Sequence, residues 1–313
     1  MRKLLVILAM VLTIAFSAVA QMDDMQESVL DGQIYVANVW AMPTTEDGNE
    51  GMIHLRVMNQ SDVPVSPMGL DIAGVAHHRG QTESGEVTII EPGATTAPGD
   101  LWVELSGMGE PLEPGEAISF DIGFVPLDED ENAIDEGVWL TVAAVIVEDE
   151  PVFPADIVVA NVWARATITA EMAERMDMND SGNEDADPSM DMGIPPSAAY
   201  MTIFYSGEDA DSLVMVETEV AGVIEIHTTE IDGDVMRMRQ VEGVDLLPDV
   251  PAILQPGGDH VMLMQLPGDL IPGEAVVLTL IFESGVEVTV GAPVRELAPG
   301  DMPMNMNTPM GDE

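Results

Sequence analysis

Ile157-Val-Val-Ala-Asn-Val-Trp-Ala164 repeats Ile34-Tyr-Val-Ala-Asn-Val-Trp-Ala41 with a single change, 123 residues further along the chain. Further matches follow in the same order. Ala73-Gly-Val75 returns as Ala221-Gly-Val223 at an offset of 148. Pro98-Gly99 and Pro114-Gly-Glu-Ala117 return as Pro256-Gly257 and Pro272-Gly-Glu-Ala275 at 158. Gly137-Val138 and Thr141-Val142 return as Gly285-Val286 and Thr289-Val290, again at 148. An ordered set of matches marks a duplication. The changes in offset place 25 extra residues near the start of the second copy and ten more between Val223 and Pro256, and ten extra residues near Pro126 to Asp135 of the first. The copies meet near Glu148 to Ala155, an acidic, proline-containing linker.

Each copy reads as strands. Ile157 to Trp163, Tyr200 to Tyr205, Val223 to His227, Val235 to Arg239, His260 to Leu266, Ala275 to Glu283 and Val286 to Val290 are short apolar or alternating runs. Gly, Pro, Asp and Asn separate them, and long amphipathic helical patterns are absent. Several short strands in each copy predict an all-β chain, an antiparallel β-sandwich or Greek-key barrel in tandem.

Composition narrows the chemistry. The 313 residues contain no cysteine, so disulfides, thiolate metal sites, blue-copper centres and cysteine nucleophiles are excluded, and each copy must bury its own core. Against that stand 24 methionines beside six Phe and three Tyr, and methionine is both a core filler and a soft metal ligand. Residues 1–20, with Arg2 and Lys3 before an apolar run and Ala18-Val19-Ala20 at its end, read as a secretory signal peptide, too short to span a membrane. No cysteine follows the cleavage pattern to carry a lipid, so the expectation is a periplasmic or extracellular protein, soluble and cleaved after Ala20. The formal charge is −48; the signal segment holds two of the nine basic residues and none of the acids, leaving −50. Such a surface repels nucleic acid and anionic lipid and attracts cations loosely. Salt adaptation or plain solubility explains the acidity as well as metal handling does.

His227-Thr-Thr-Glu-Ile-Asp-Gly-Asp-Val-Met-Arg-Met238 is the most informative segment for function. Asp232-Gly233 has the signature of a two-residue hairpin loop. Centred there, the loop pairs Ile231 with Asp234 and sets His227 directly opposite Met238, at the ~4.5–5.5 Å typical of cross-strand neighbours. Met236 falls opposite Thr229 on the same face. Further on, His260, Met262 and Met264 share one face of a strand, by the i, i+2 rule. Two imidazoles and several thioethers suit Cu(I) and require no thiolate. Spacing alone leaves a second reading open: a methionine in a strand is usually core, and a histidine in a strand is usually a hydrogen-bonded fold residue.

Residues 157–297 resemble the periplasmic copper chaperone family called PCuAC. The family pattern is a His, ten residues, a Met, twenty-one residues, then His-x-Met, and His227, Met238, His260 and Met262 fit every interval. Val235-Met-Arg-Met-Arg239, Pro256-Gly-Gly258 and His260-Val-Met-Leu-Met264 are also family-like. The resemblance implies a cupredoxin-like β-sandwich in which those four residues hold Cu(I) for delivery, often towards the dinuclear copper centre of cytochrome oxidase or through another copper chaperone. Some members carry a Met beside the first His, where this chain has Thr228.

The first copy is expected to lack the site. At the local offsets His227 corresponds to Arg79, Met238 to Ile90, His260 to Trp102 and Met262 to Glu104; His54, His77 and His78 remain as candidates for a weak, slipped site. The organisation expected is a signal peptide (1–20), a degenerate copy without copper (21–150), a copper domain (154–298) with a Met-rich insertion at about 168–193, and a Met-rich tail (299–313). Met172, Met176, Met178, Met190 and Met192 lie in the insertion and Met302, Met304, Met306 and Met310 in the tail, among polar residues that form no core. There they can recruit Cu(I), or be oxidised sacrificially, or reflect biased composition. No nucleophile elbow, zinc-hydrolase spacing, P-loop or dinucleotide fingerprint appears, so no enzyme is expected. A copper-resistance buffer without a dedicated acceptor, and a structural or adhesive β-sandwich that binds no metal, are the remaining alternatives.

Overall fold

The computed structural model describes residues 28–44, 50–72, 77–81, 88–97, 101–106, 111–168, 194–232 and 235–297. The signal segment, Met22 and Met25, Gly233, residues 169–193 of the insertion and the tail from 298 lie outside them.

The chain is all-β, as expected. The first copy forms β1 (Ile34–Ala41), β2 (Glu50–Asn59), β3 (Val65–Asp71), β4 (His77–Gln81), β5 (Leu101–Ser106), β6 (Ala117–Pro126) and β7 (Val138–Ile146). The second forms β8 (Ile157–Arg165), β9 (Ser197–Tyr205), β10 (Asp211–Glu217), β11 (Val223–Asp232), β12 (Val235–Gln240), β13 (Val244–Leu246), β14 (Ala252–Leu254), β15 (His260–Met264), β16 (Ala275–Phe282) and β17 (Glu287–Arg295). In the second copy one layer runs β12-β11-β15-β9-β8 and the other β13-β10-β16-β17, with β8 also pairing parallel to β17. The first copy repeats the plan as β4-β5-β2-β1 and β3-β6-β7, with β1 parallel to β7.

Alternation builds the cores. On β16 Val276, Leu278, Leu280 and Phe282 turn inward while their neighbours are only partly buried. Each such side chain contributes roughly 1.5–3 kcal/mol by leaving water. Two separate apolar cores result, one drawn from residues 157–294 and one from 30–146. The repeated Asn-Val-Trp performs a local task in both. Asn38 and Asn161 sit at positive φ (51° and 49°), a conformation asparagine tolerates better than most residues, inside a bulge that shifts the pairing between Ala37 and Trp40 and between Ala160 and Trp163. Beyond the bulge, Trp163 packs against Tyr200 on the outer face of its layer.

The registers correct two of the expected equivalences. β2 matches β9 at an offset of 146, since Ala41 pairs with Ile53 as Ala164 pairs with Ala199. On β4 the same offset holds: Gln81 faces Trp102 where His227 faces His260, so Gln81, not Arg79, takes the place of His227, and Arg79 takes that of Glu225. Ile90 bridges Val65 as Leu246 pairs with Asp211, so Ile90 stands for Leu246 rather than Met238. Eight residues separate Gln81 from Ile90 and eighteen separate His227 from Leu246. The ten-residue difference falls on the stretch that in the second copy includes β12. Sequence matching slipped by two residues at the His227 position and by eight at Ile90 because it had no pairing partner to fix it.

Candidate metal centre

The site face is the outer surface of the β12-β11-β15-β9 layer. β11 and β15 are hydrogen-bonded neighbours, with His227 directly opposite His260 and Glu225 opposite Met262. The two imidazole rings lie 5.9 Å apart between centroids, at 63° to one another. This meeting of strands is what spacing within either segment left open.

Each ring has one nitrogen tied and one unpartnered. His227 Nε2 is 2.8 Å from Glu225 Oε2, and His260 Nδ1 is 2.9 Å from the Gly258 carbonyl oxygen. An ionised carboxylate and a carbonyl only accept, so each of these nitrogens carries the proton and donates. That leaves lone pairs on His227 Nδ1 and His260 Nε2. Both atoms are buried and neither has a hydrogen-bond partner. A buried polar atom without a partner costs roughly 1–3 kcal/mol. An imidazole with one N–H held by a carboxylate or a backbone carbonyl and the other nitrogen bare is the arrangement that metal-binding histidines adopt. The Gly258 carbonyl also accepts the Thr229 N–H at 3.2 Å, which fastens the loop before β15 to β11.

His260 is 3% exposed. Burial pushes its pKa below the ordinary value of 6.5, and the neighbouring His227 and Arg165 push the same way; the Gly258 bond and Asp259 oppose them. The neutral, ligating form is therefore favoured. By linkage, stability from keeping this ring neutral is fully present above the unfolded-state pKa near 6.5 and is lost as pH falls through the lower folded-state pKa. In the metal-free protein, the His260 ring is expected to titrate below the ordinary imidazole range in an NMR pH series. Urea melts should show stability falling on acidification across that window. A normal His260 midpoint would contradict this.

Met262 shares the face with His260, partly buried against Trp163, Ala198 and Tyr200. Arg295 caps Trp163, its guanidinium carbon 3.6 Å from the ring centroid, and Tyr200 lies 6.3 Å from the His260 ring. Met238 is placed differently from the expectation. β12 pairs with β11 through Asp232–Val235, Ile231–Met236 and Thr229–Met238, so Gln240, not Met238, stands opposite His227. The two-residue gap is 233–234 rather than 232–233. Gly-Asp is itself a two-residue loop signature with glycine first, and centring there adds one more pair to the ladder. The sum of paired residue numbers changes by two, so no side chain changes face. Met238 remains on the His227 side, diagonal to it, on a strand whose described pairing is to β11 alone, and it is 54% exposed. His227, His260 and Met262 are thus brought together, while the Met238 side chain stands in solvent. Met264 lies opposite Val223, further along the same face, and Met236 pairs with Ile231.

Among the described residues no group of three or more His, Asp or Glu side chains is placed to hold one metal ion. Glu225, the Gly258 carbonyl, Trp163 and Tyr200 were not singled out from sequence. Glu225 lies two residues before His227 and so on the same face of the strand, but that spacing does not mark it out among the 57 acidic residues of the chain.

At the matching place in the first copy, Trp40 stacks on His54 with centroids 4.2 Å apart, and Trp102 pairs with both His54 and Gln81. His54 Nδ1 is buried without a partner, and burial lowers the pKa of the ring while Glu150 opposes. His77 lies opposite Ser106, four residues along β4 from Gln81, so the backbone does not bring it to His54.

Residues 157–294 match the model of a family described as "LpqE-like: Putative lipoprotein LpqE-like". "Putative lipoprotein Lxx21020" of Leifsonia xyli subsp. xyli is 26% identical over 107 residues, which cover 34% of this chain and 64% of that relative's length. Among solved structures, the chain is similar to the copper-bound PCuAC domain from PmoF2, with 21% identity over 47% of this chain and 97% of the other, at a TM-score of 0.32. It is also similar to Cu(I)-loaded DR1885 from Deinococcus radiodurans, with 28% identity over 44% of this chain and 79% of the other, at 0.31.

Proposed function

We propose that this chain is an exported Cu(I)-binding protein, divided into a copper domain at 154–298 and a copy at 21–150 that carries no site of this kind. The observation that carries the reading is the pair of facing buried imidazoles, each with one nitrogen tied and the other bare. His227 Nδ1, His260 Nε2 and the thioether of Met262 are assigned as ligands, with Met238 as the fourth. Export rests on the signal pattern and on the lipoprotein descriptions of the relatives.

Neutral imidazole and thioether donors favour the soft, singly charged ion over Cu(II). Burial excludes water from the two nitrogens, and the hydrogen bonds that the rings donate to Glu225 and to the Gly258 carbonyl hold each in one tautomer, so little reorganisation is needed on binding. The exposed Met238 supplies the exchangeable position. Its thioether can join the ion as it arrives and leave as an acceptor's ligand replaces it. That suits delivery, with the copper centre of cytochrome oxidase or another copper chaperone as the acceptor class, better than permanent storage.

Anaerobic titration of the mature chain with Cu(I) against a competing chelator tests the proposal, and absence of tight binding refutes it. A second test addresses the rings. Nitrogen-detected NMR of the metal-free protein should find His227 as the Nε2–H tautomer and His260 as the Nδ1–H tautomer. Glu225→Ala should weaken Cu(I) by about 10–100-fold, the usual range for an outer-shell partner. Glu225→Gln, whose amide oxygen still accepts, should lose less. Equal losses in the two variants would show that the hydrogen bond does not position the ring.

A further inference from the structure

The two copies join through residues that are one another's counterparts. Ala37 on β1 pairs antiparallel with Ala160 on β8, and Ala143 on β7 pairs antiparallel with Gly291 on β17. Pairings inside each copy fix these as equivalents independently of the junction. Ala41–Ile146 in the first copy matches Ala164–Val294 in the second, and Ser119–Ala143 matches Val277–Gly291. A surface that meets its own equivalent at two separate points is related to its partner by a local two-fold axis, the signature of an isologous interface. A cavity of about 20 Å³ lies between them, and most of its lining comes in equivalent pairs: Val36 with Val159, Val39 with Val162, Val142 with Val290 and Ala143 with Gly291, while Ala37 and Asn38 line it without their counterparts.

We propose that the first copy occupies the place of a second copper-type domain, and that the second copy, when freed of it, pairs with another copy of itself through β8 and β17. This does not depend on the copper reading. The two apolar cores share no residue and residues 154–298 contain every member of theirs, so this segment can fold without the first copy, although Val159, Val162 and Val290 of that core also line the junction and would be uncovered.

Departures from symmetry decide which pairings are allowed. A Cβ added at Gly291 would lie 2.8 Å from the Ala143 carbonyl oxygen and 3.0 Å from the Ala143 Cβ. One side of the axis must therefore carry glycine. Second copy against first satisfies this, and second against second leaves room to spare. First against first would set alanine against alanine in space that holds only one Cβ. The polar contacts agree. Asn161 Oδ1 accepts from the Val36 N–H at 3.1 Å and its Nδ2 donates to the Ile34 carbonyl at 3.2 Å, whereas Asn38 Nδ2 is buried without a partner. Two second copies would present Asn161 from both sides. One contact would be lost: Tyr35 meets Phe204 edge-on at 4.9 Å, and the counterpart of Tyr35 is Val158. The self-pair is accordingly weaker than the tethered tandem, whose linker also supplies a high effective concentration.

The test is light scattering on residues 154–298 over a dilution series, beside the same segment with Gly291→Ala and beside residues 28–150. The three atoms nearest a Cβ at Gly291 all belong to Ala143, so the alanine's closest obstacles lie across the junction. A thermal melt and Cu(I) titration verify that the variant is folded. The expected result is a monomer–dimer equilibrium for 154–298, and monomers for Gly291→Ala and for 28–150. A monomeric 154–298 at every concentration overturns the proposal, as does a Gly291→Ala variant that dimerises equally well or a 28–150 segment that dimerises as strongly.

Discussion

Replacing His260 by alanine is expected to weaken Cu(I) binding by more than ~100-fold, beyond the 10–100-fold that loss of an outer-shell partner costs. The variant removes one of only two imidazoles on the face and leaves His227 Nδ1 opposite an empty position. It also removes the donor to Gly258, so part of the loss comes from a loosened loop before β15. His260→Gln separates the two effects, because its amide can occupy the pocket without presenting an imidazole nitrogen, and it should lose nearly as much. Met262→Ala should cost less than either, and Met238→Ala less again for equilibrium affinity, since an exposed thioether has little to lose by staying in water. The rate of copper transfer should respond to Met238 more than the affinity does. X-ray absorption on the loaded chain should show nitrogen and sulfur neighbours together. A nitrogen- and oxygen-only shell, or a His260→Ala variant with unchanged affinity, would remove the basis for this site.

Much of this is legible in the sequence, for reasons that differ residue by residue. The i, i+2 rule alone put His260 and Met262 on one face, because a strand leaves no other choice. The hairpin between His227 and Met238 was legible as a hairpin but not in its register. Asp-Gly and Gly-Asp are both competent loop centres, and local sequence does not choose between them, although both choices keep Met238 on the His227 side. That β11 lies beside β15 is a tertiary fact with no local signature, since twenty-seven residues separate Asp232 from His260. The role of Glu225 was hidden for another reason: one more glutamate in so acidic a chain carries no signal until it is found 2.8 Å from a histidine ring. The Asn-Val-Trp repeat advertised the duplication plainly. It gave no hint that the asparagines sit at positive φ, or that one of them bonds across to the other copy.

Titration of the whole chain is expected to saturate the tight sites at one Cu(I), and restoring both histidines in the first copy should not add another. Trp102 stands where His260 does and Gln81 where His227 does. Gln81→His with Trp102→His would therefore rebuild the pair of imidazoles on paper. The remainder of the centre would still be missing. Glu104 takes the register place of Met262, opposite Arg79, which takes that of Glu225, so the thioether is absent and the carboxylate that fixes one ring is replaced by a cation. The stretch after β4 is also ten residues shorter than the stretch that carries β12, so no counterpart of Met238 is available. Two imidazoles without a thioether or a fixed tautomer make a weak site, open to protonation and to water. The doubly substituted chain should take up additional copper only at chelator strengths well below those the natural site withstands. His54→Ala, which deletes the one buried imidazole of the first copy's Trp40 stack, should leave both affinity and stoichiometry of the tight site unchanged. A second equivalent of matching affinity in the double variant would show that the first copy had kept a competent frame and lost only its two histidines.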